Sequence, residues 1–92
     1  MTASERFKKH WFLDRVISSR GYTITLRRDV VEYKDRAGGI TLPAEWAPGR
    51  GTWILLFAAG LPEVLPGSRA KSEVVDDIVR AFDAVGWRLS VR

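Results

Sequence analysis

Candidate catalytic residues are few in this 92-residue sequence. His10 is the single histidine, whereas a metal site needs several ligands and a histidine-activated nucleophile needs an orienting acid beside the histidine. The sequence contains no cysteine, which excludes disulfides, thiolate metal sites and a cysteine nucleophile. We therefore predict no metal centre, and nothing in the sequence indicates catalysis by His10.

Three acidic residues, Glu73, Asp76 and Asp77, lie close together in the C-terminal half. Paired carboxylates can transfer protons or bind a divalent cation. On a helix, Asp76 and Asp77 diverge by about 100° and do not converge on one ligand, whereas Glu73 and Asp77 are about one turn apart. A solvated helix face explains these acids better than an acid/base pair does.

Two glycine-rich segments, residues 37–39 (Ala-Gly-Gly) and 49–52 (Gly-Arg-Gly-Thr), are candidates for phosphate-binding loops. A phosphate loop of this kind needs a helix N-terminus directly behind it. Strand-like patterns follow both segments, so we interpret them as turns. The sequence predicts no cofactor.

The longest apolar run occupies residues 53–59, between Gly51 and Gly60. An uninterrupted apolar run of strand length is typical of a strand covered on both faces. A buried helix segment has a similar pattern, but the run is short for a helix and glycines bound it at both ends. We predict a central strand over about 52–58.

Before this strand, the sequence predicts a β-meander over about 20–42. Residues 22–27 alternate between apolar and polar side chains, which indicates a half-buried antiparallel strand. Residues 30–34 and 40–42 are two further short strands, and turn-forming residues separate all three. Pro43 ends the last of them.

An N-terminal helix is predicted over about 4–15. Thr2 or Ser4 has a suitable position for its N-cap, and Glu5 completes capping-box spacing with Thr2. The β-branched pair Val16 and Ile17 also suits a following strand, so the end of the helix stays open. The apolar stripe consists of Phe7, Trp11, Phe12, Leu13, Val16 and Ile17.

A second helix is predicted over about 70–85, followed by a strand over about 87–91. The helix has one continuous apolar face, and Gly86 is suited to end it. The strand alternates, with Trp87, Leu89 and Val91 directed inward. The apolar face of the helix consists of Val74, Val75, Ile78, Val79, Phe82 and Val85.

These elements predict one α+β domain over residues 1–92, in the order α-β-β-β-β-α-β. Its sheet would be mainly antiparallel, with the C-terminal helix packed on one face. If the central and C-terminal strands are neighbours, they are parallel. The N-terminal helix or a partner chain would then cover the second face.

The basic residues are concentrated near the N-terminus. Seven of the 15 basic residues but two of the 11 acidic residues lie within residues 1–28, in a chain of net charge +4. A solvated face explains this asymmetry, and so does an anionic partner such as nucleic acid. For nucleic-acid binding, the candidate residues are Arg6, Lys8, Lys9, Arg15, Arg27 and Arg28.

Targeting segments are not evident in the sequence. Charged residues interrupt residues 7–17, so this segment lacks the apolar core of a signal peptide, and no apolar run approaches the ~18 residues of a membrane span. Absence of cysteine fits a cytoplasmic protein. We predict a cytoplasmic location without membrane association.

Several short segments resemble small α+β immunity proteins of bacterial polymorphic toxin systems. They are residues 20–22 (Arg-Gly-Tyr), 29–33 (Asp-Val-Val-Glu-Tyr) and 42–45 (Leu-Pro-Ala-Glu), followed by the central strand and the 77–91 ending. The resemblance spans about residues 17–92. It implies a non-enzymatic protein that occludes a cognate toxin, and it assigns a role to no individual residue.

We therefore predict a non-enzymatic protein-binding module, with an immunity-like inhibitor as its specific form. Four tryptophans in 92 residues favour this class, because tryptophan and arginine commonly anchor interfaces. The predicted contact residues are Trp46, Arg50, Trp53 and Arg20. A homodimer formed through the N-terminal helix or the central strand is a further alternative.

Overall fold

A computed structural model of the protein describes residues 4–10 and 12–92. Strands contain 43% of these residues and helix 16%. The single helix of this part of the chain is α1, Lys71–Ala84. The strands are β1 Phe7–Lys9, β2 Arg15–Ser18, β3 Thr23–Leu26, β4 Val30–Asp35, β5 Gly38–Trp46, β6 Trp53–Leu56, β7 Val64–Leu65, β8 Arg69–Ala70 and β9 Arg88–Val91.

The protein is mostly β, so the predicted α+β class with the order α-β-β-β-β-α-β is wrong. The largest error lies in the N-terminal segment, where β1 and the start of β2 replace the helix predicted over 4–15. Pro43 also does not end the third strand of the meander, because β5 continues through it to Trp46, and the β7–β8 hairpin was not predicted. Lys8 pairs with Ile17 across these two strands, and Val16 pairs with Ile24 of β3. Pairing of β-branched residues within a sheet outweighs a weak local helix preference. Trp11 and the predicted cap Thr2 lie outside the described residues.

Seven strands form one sheet in the order β1-β2-β3-β4-β5-β6-β9. Neighbouring strands are antiparallel from β1 to β6, whereas β6 and β9 are parallel. Helix α1 lies between β6 and β9 in the chain and provides their crossover. β7 and β8 form a separate two-stranded hairpin. The predicted central strand is therefore sixth of seven, next to the edge.

The core lies on the face of the sheet that α1 covers. Ile54 and Leu56 of β6 are buried there, but Phe57 on the opposite side is 38% exposed. On the outer side Trp53 and Leu55 of β6 are only partly buried. The central strand is therefore fully covered on one face alone, and the prediction of cover on both faces is wrong. The largest fully buried side chains are Phe82, Ile24, Leu42, Ile54, Leu56 and Ile78.

The sheet curls around the helix. Lys9 of β1 has its Nζ 5.7 Å from the ring centroid of Trp87, which directly precedes β9. These two residues belong to opposite ends of the sheet. Trp87 also packs edge-on against Phe82 of α1, with ring centroids 5.3 Å apart. The concave face therefore holds α1, and the convex face is the outer face of the molecule.

The amphipathic α1 packs through one side only. Val74 and Ile78 are buried, whereas Glu73 and Asp76 are exposed. The residue after the helix C-cap, Gly86, has a φ of 77°, a left-handed conformation that glycine adopts without steric cost. Within residues 4–10 and 12–92, no helix is long and apolar enough to cross a membrane.

Candidate functional site

The four predicted protein-contact residues do not come together in one surface. Trp46 is the last residue of β5 and lies on the inner face of the sheet, with 41% of it exposed. Its indole N–H donates to the carbonyl oxygen of Arg27 at 3.2 Å. Trp53 is on the opposite, outer face, because its neighbour Ile54 is the residue paired with Trp46. Arg50 is exposed in the loop between β5 and β6.

Arg20, the fourth predicted contact residue, lies in the turn between β2 and β3, beside Glu5. The Glu5 side chain is only 6% exposed, and its Oε1 is 3.6 Å from Arg20 Nε. Glu5 accepts hydrogen bonds from the hydroxyls of Ser18 and Tyr22 and, at 3.0 Å, from Nε of Arg80. Glu5 therefore joins the segment before β1 to the sheet and to α1.

Asp77 extends this cluster toward β4. It accepts a hydrogen bond from the guanidinium of Arg80, one turn away on α1, and another from the Tyr33 hydroxyl at 2.8 Å. The rings of Tyr22 and Tyr33 are stacked with centroids 5.2 Å apart. We call Glu5, Ser18, Tyr22, Tyr33, Asp77 and Arg80 the Glu5 cluster.

Ionisation in the Glu5 cluster follows from these contacts. Burial raises the pKa of Glu5, but hydrogen bonds from Ser18, Tyr22 and Arg80 outweigh burial and hold this pKa below its usual value. Burial raises the pKa values of Tyr22 and Tyr33, and their hydrogen bonds to carboxylates raise them further. At neutral pH both tyrosines are therefore protonated, and the Tyr22 hydroxyl donates to the ionised Glu5 carboxylate. This arrangement stabilises the fold, because its donors and acceptors are directed at one another.

A second buried ion pair fixes the β7–β8 hairpin. Arg69, with a side chain 8% exposed, donates from Nε and Nη2 to the two carboxylate oxygens of Asp35, at 3.0 and 2.5 Å. Nη2 also donates to the Gly38 carbonyl oxygen at 2.7 Å. The hydrogen bond from Arg69 lowers the pKa of Asp35. This pair attaches the hairpin to the turn between β4 and β5.

Metal binding finds no support in the described part of the chain. Among residues 4–10 and 12–92, no three histidine, cysteine or carboxylate side chains are placed to hold a metal ion. His10 packs edge-on against the Phe12 ring at 4.6 Å. Glu73 and Asp77, the predicted one-turn pair, line an open depression in which Asp77 is already bonded to Arg80 and Tyr33.

Part of the predicted basic surface lies on the outer face of the sheet. The strand register places Lys8 opposite Ile17 and Arg15 opposite Thr25, all on the side away from α1. Arg15 Nε donates to the Thr25 hydroxyl at 3.1 Å. Lys34, which was not among the predicted residues, lies opposite Thr23 on the same face.

The other predicted basic residues are dispersed. Nη2 of Arg27 is 3.8 Å from the Glu32 carboxylate, so a neighbouring negative charge partly offsets the charge of Arg27. Lys9 points to the inner side, over the Trp87 ring. Arg6 and Arg28 are exposed in segments that flank the strands.

The outer edge of β9 is an unpaired row of backbone groups. The N–H groups of Arg88 and Arg92 donate to Thr52 and Leu56 on the β6 side, at 2.9 and 2.8 Å. Successive residues of a strand direct their N–H and C=O groups to opposite sides. The N–H and C=O groups of Leu89 and Val91 therefore point away from β6, where no strand pairs with β9 within the described residues.

Apolar side chains border this row on the side of α1. Val79 of the helix is 41% exposed and Val91 is 45% exposed. Val79 and Leu89 line one shallow depression of about 380 Å³, and Val75 and Val91 line another of about 380 Å³. We call this surface the β9 edge: Val75, Val79, Arg88, Leu89, Ser90, Val91 and Arg92.

Trp53 supports the β9 edge from the outer face. The Arg88 guanidinium carbon lies 4.2 Å from the Trp53 ring centroid, and the indole N–H donates to the Ser90 hydroxyl at 3.4 Å. A cation stacked on an aromatic ring is held in place yet still presents its remaining donors. Trp53 is thus the one predicted contact residue that contacts the β9 edge.

Sequence patterns did not identify the rest of the β9 edge. The alternation over 87–91 correctly placed Leu89 and Val91 inward, but it carried no sign that the strand would be outermost. That position follows from the order of the strands, which depends on long-range pairing. The sequence likewise did not distinguish Val79, which is exposed, from the buried Val74, Ile78 and Phe82 of the same predicted apolar stripe.

Comparisons with protein-family models, with curated proteins and with solved structures found no match. The resemblance to immunity proteins therefore stays a prediction, and the function has to be argued from the geometry above.

Proposed function

We propose that this chain is a non-enzymatic protein-binding module that holds its partner at the β9 edge. The observation that carries the proposal is the row of unpaired backbone groups at Leu89 and Val91, bordered by exposed apolar side chains. Unpaired strand edges are templates for pairing with another chain, and exposed apolar groups beside them add buried area on binding.

The buried polar clusters favour a binding role over catalysis. Glu5 and Arg69 each direct their polar atoms at groups from other elements of the same chain. Such clusters fix the positions of the N-terminal segment and the hairpin. Among the described residues, the β9 edge presents unused donors and acceptors beside exposed apolar side chains.

Inhibition of a toxin is the specific form of this proposal, and it comes from the resemblance to immunity proteins. An inhibitor of that class acts by covering the active surface of its partner inside the producing cell. We therefore include a cytoplasmic location in the proposal.

Affinity capture tests the proposal. Tagged protein is incubated with lysate of its source after nuclease treatment and washed at about 0.1 M and about 1 M salt, where exposed charges are weakly and strongly screened. We expect one stoichiometric protein to survive both washes, and Val79→Asp to abolish its capture. Val64→Asp is the matched control, because Val64 is 65% exposed on β7. Equal capture by both variants and the wild type would refute the placement at the β9 edge.

Nucleic-acid binding is the second candidate. It is favoured by the shared position of Lys8, Arg15 and Lys34 on the outer face. Binding to phosphates would weaken steeply with salt, because each neutralised phosphate releases counterions. Titration of a labelled oligonucleotide at two salt concentrations tests it. Binding that is absent at low salt, or unchanged by Lys8→Glu with Lys34→Glu, would rule this candidate out.

A further inference from the structure

We propose that the β9 edge takes up an extended segment of the partner as an eighth strand, and that this segment carries acidic residues opposite Arg88 and Arg92. The inference rests on the proposed function and names the chemistry of the partner. Its apolar residues would alternate with the acidic ones and face α1.

The backbone of β9 supplies the first part of the argument. Leu89 and Val91 present two N–H and two C=O groups away from β6, as the bonds of Arg88 and Arg92 to the β6 side require. Added strands bind chiefly through such main-chain hydrogen bonds, whereas alternate side chains determine which segment is accepted.

The charge of Arg88 and Arg92 determines which residues the incoming strand carries on its outer side. Arg88, Ser90 and Arg92 alternate with Leu89 and Val91, so the two arginines lie on the outer face at either end of the row. Neither arginine forms a salt bridge within the described residues, and both are exposed. Side chains directly opposite each other on paired strands are about 4.5–5.5 Å apart at Cβ, which favours opposite charges.

Contact with the apolar side chains of α1 and β9 determines which residues the incoming strand carries on its inner side. Leu89 and Val91 pack beside Val75 and Val79 of α1 along the two depressions. Asp76 and Asp83 also line these depressions, on the solvent side of the helix. Lys71, Arg88 and Arg92 line them as well, so charges of both signs border the inner side. The apolar side chains at the depressions, not repulsion, favour apolar residues of the incoming strand on this side.

A second copy of this chain fits the β9 edge poorly. Antiparallel pairing of two β9 strands about Ser90 would place Arg88 of each copy opposite Arg92 of the other. Like charges directly opposite each other destabilise a pair of strands. In this register, which overlaps the two strands most fully, a second copy is therefore disfavoured relative to an acidic strand.

Two capped peptides test the inference on the full, ¹⁵N-labelled chain. The first is Ser-Glu-Val-Thr-Val-Glu-Ser, which places Glu opposite both arginines and Val opposite Leu89 and Val91. The second has Lys in place of both Glu. We expect the Glu peptide to shift the amide resonances of Leu89 and Val91 and to slow their hydrogen exchange. The Lys peptide should bind at least about tenfold more weakly.

Three variants separate backbone pairing, charge and folding. Val91→Pro removes an N–H that faces the free edge and should abolish peptide binding. Val64→Pro is its matched control on β7, where bonding of Lys71 to Glu63 leaves the N–H of the exposed Val64 directed away from β8. Arg88→Glu combined with Arg92→Glu should reverse the preference, so that the Lys peptide binds more tightly. This reversal cannot arise from misfolding.

The outcomes are judged separately from the capture experiment. Equal binding of the two peptides, no binding of either, or resonance shifts away from β9 would overturn the acidic-strand inference. So would a dimer in sedimentation equilibrium that Val91→Pro dissociates, because the occupant would then be a second copy. If Val79→Asp still abolishes capture in any of these cases, the proposed protein-binding function stands without the inference.

Discussion

Removal of the Glu5 carboxylate is the sharpest test of how this fold is stabilised. Glu5 belongs to a segment at the start of the described chain, yet its side chain is 6% exposed and contacts Ser18 of β2, Tyr22 just before β3 and Arg80 of α1. Glu5→Ala removes the acceptor of three hydrogen bonds. Each donor must then find another acceptor or stay buried without one.

The expected loss follows from the alternatives open to each donor. The Arg80 side chain is 41% exposed and keeps Asp77 as a partner. Removal of its hydrogen bond to Glu5 therefore costs little stability. The Tyr22 hydroxyl has only the distant Asp77 carbonyl oxygen, at 3.4 Å. Ser18 still accepts from the Arg20 N–H at 3.0 Å but loses its own acceptor. An unsatisfied buried group costs about 1–3 kcal/mol, so we expect Glu5→Ala to lower the free energy of unfolding by about 2–4 kcal/mol.

Urea unfolding followed by tryptophan fluorescence measures this loss. Glu5→Gln is the intermediate variant, because its amide oxygen can still accept from Tyr22 while the charge beside Arg80 is lost. We expect it to lie between Glu5→Ala and the wild type. Glu45→Ala, an exposed carboxylate on β5, is the matched control and should change stability by less than about 0.5 kcal/mol.

A loss below about 0.5 kcal/mol for Glu5→Ala would refute the reasoning, because it would place Glu5 among ordinary surface residues. A double-mutant cycle with Tyr22→Phe adds a second condition. The two losses should be less than additive, since both variants remove the same hydrogen bond. Full additivity would show that Glu5 and Tyr22 do not interact in solution.

Three further predictions concern the remaining polar contacts and the backbone. Stability should fall on acidification, because the pKa values of Glu5 and Asp35 are lowered in the folded state. The contribution of these two carboxylates to the free energy of unfolding is present above about pH 4.3 and is lost as the pH falls through their lower folded pKa values. Urea midpoints measured from neutral to acidic pH should show this fall, and Glu5→Gln should make it shallower. A pH-independent midpoint would contradict it. Arg69→Ala should cost about 2–3 kcal/mol, because it leaves the partly buried Asp35 carboxylate without its bidentate partner; a loss no larger than that of Glu45→Ala would contradict the prediction. Ser68 has a φ of 59°, in the left-handed region that glycine adopts without steric cost. Ser68→Gly should therefore stabilise the fold by up to about 1 kcal/mol and raise the melting temperature. A lower melting temperature would show that the serine side chain stabilises this turn.

Local patterns predicted those elements whose partners are close in sequence. The alternation over 22–27 corresponds to β3, Thr23–Leu26, and the helix predicted over 70–85 corresponds to Lys71–Ala84. The pattern also anticipated that β6 and β9 would be parallel if they were neighbours. In each case one face of the element packs on the core, so periodicity and burial agree.

The N-terminal helix shows where such patterns fail. Its predicted apolar stripe included Phe12 and Leu13, which are 65% and 39% exposed in the turn between β1 and β2. Three further members, Phe7, Val16 and Ile17, belong to paired strands instead. Residues of two strands and a turn thus happened to have helical spacing. Only the pairing of β2 with β3 distinguishes this strand–turn–strand structure from the predicted helix.

The candidate site depends even more on topology. Trp53 was selected for its residue type, yet its place in the structure is beneath the Arg88 guanidinium, next to the free edge of β9. Leu89 and Val91 would be ordinary core residues if another strand followed them in the sheet. Nothing in the local sequence distinguishes an edge strand from a central one, so the β9 edge could not be identified before the strand order was known.

The two ends of the sheet differ in how their backbone groups are protected. The β1 end carries Arg6, Lys8 and Lys9 over a three-residue strand, and short, charged edges resist pairing with other chains. β9 places its charges only at the ends of the row, on the outer face, and leaves Leu89 and Val91 between them. Such an edge repels a copy of itself, because Arg88 would meet Arg92, but it does not repel an acidic strand. If β9 pairs with a partner strand as proposed, the same two arginines would both disfavour self-association and select the charge of that partner.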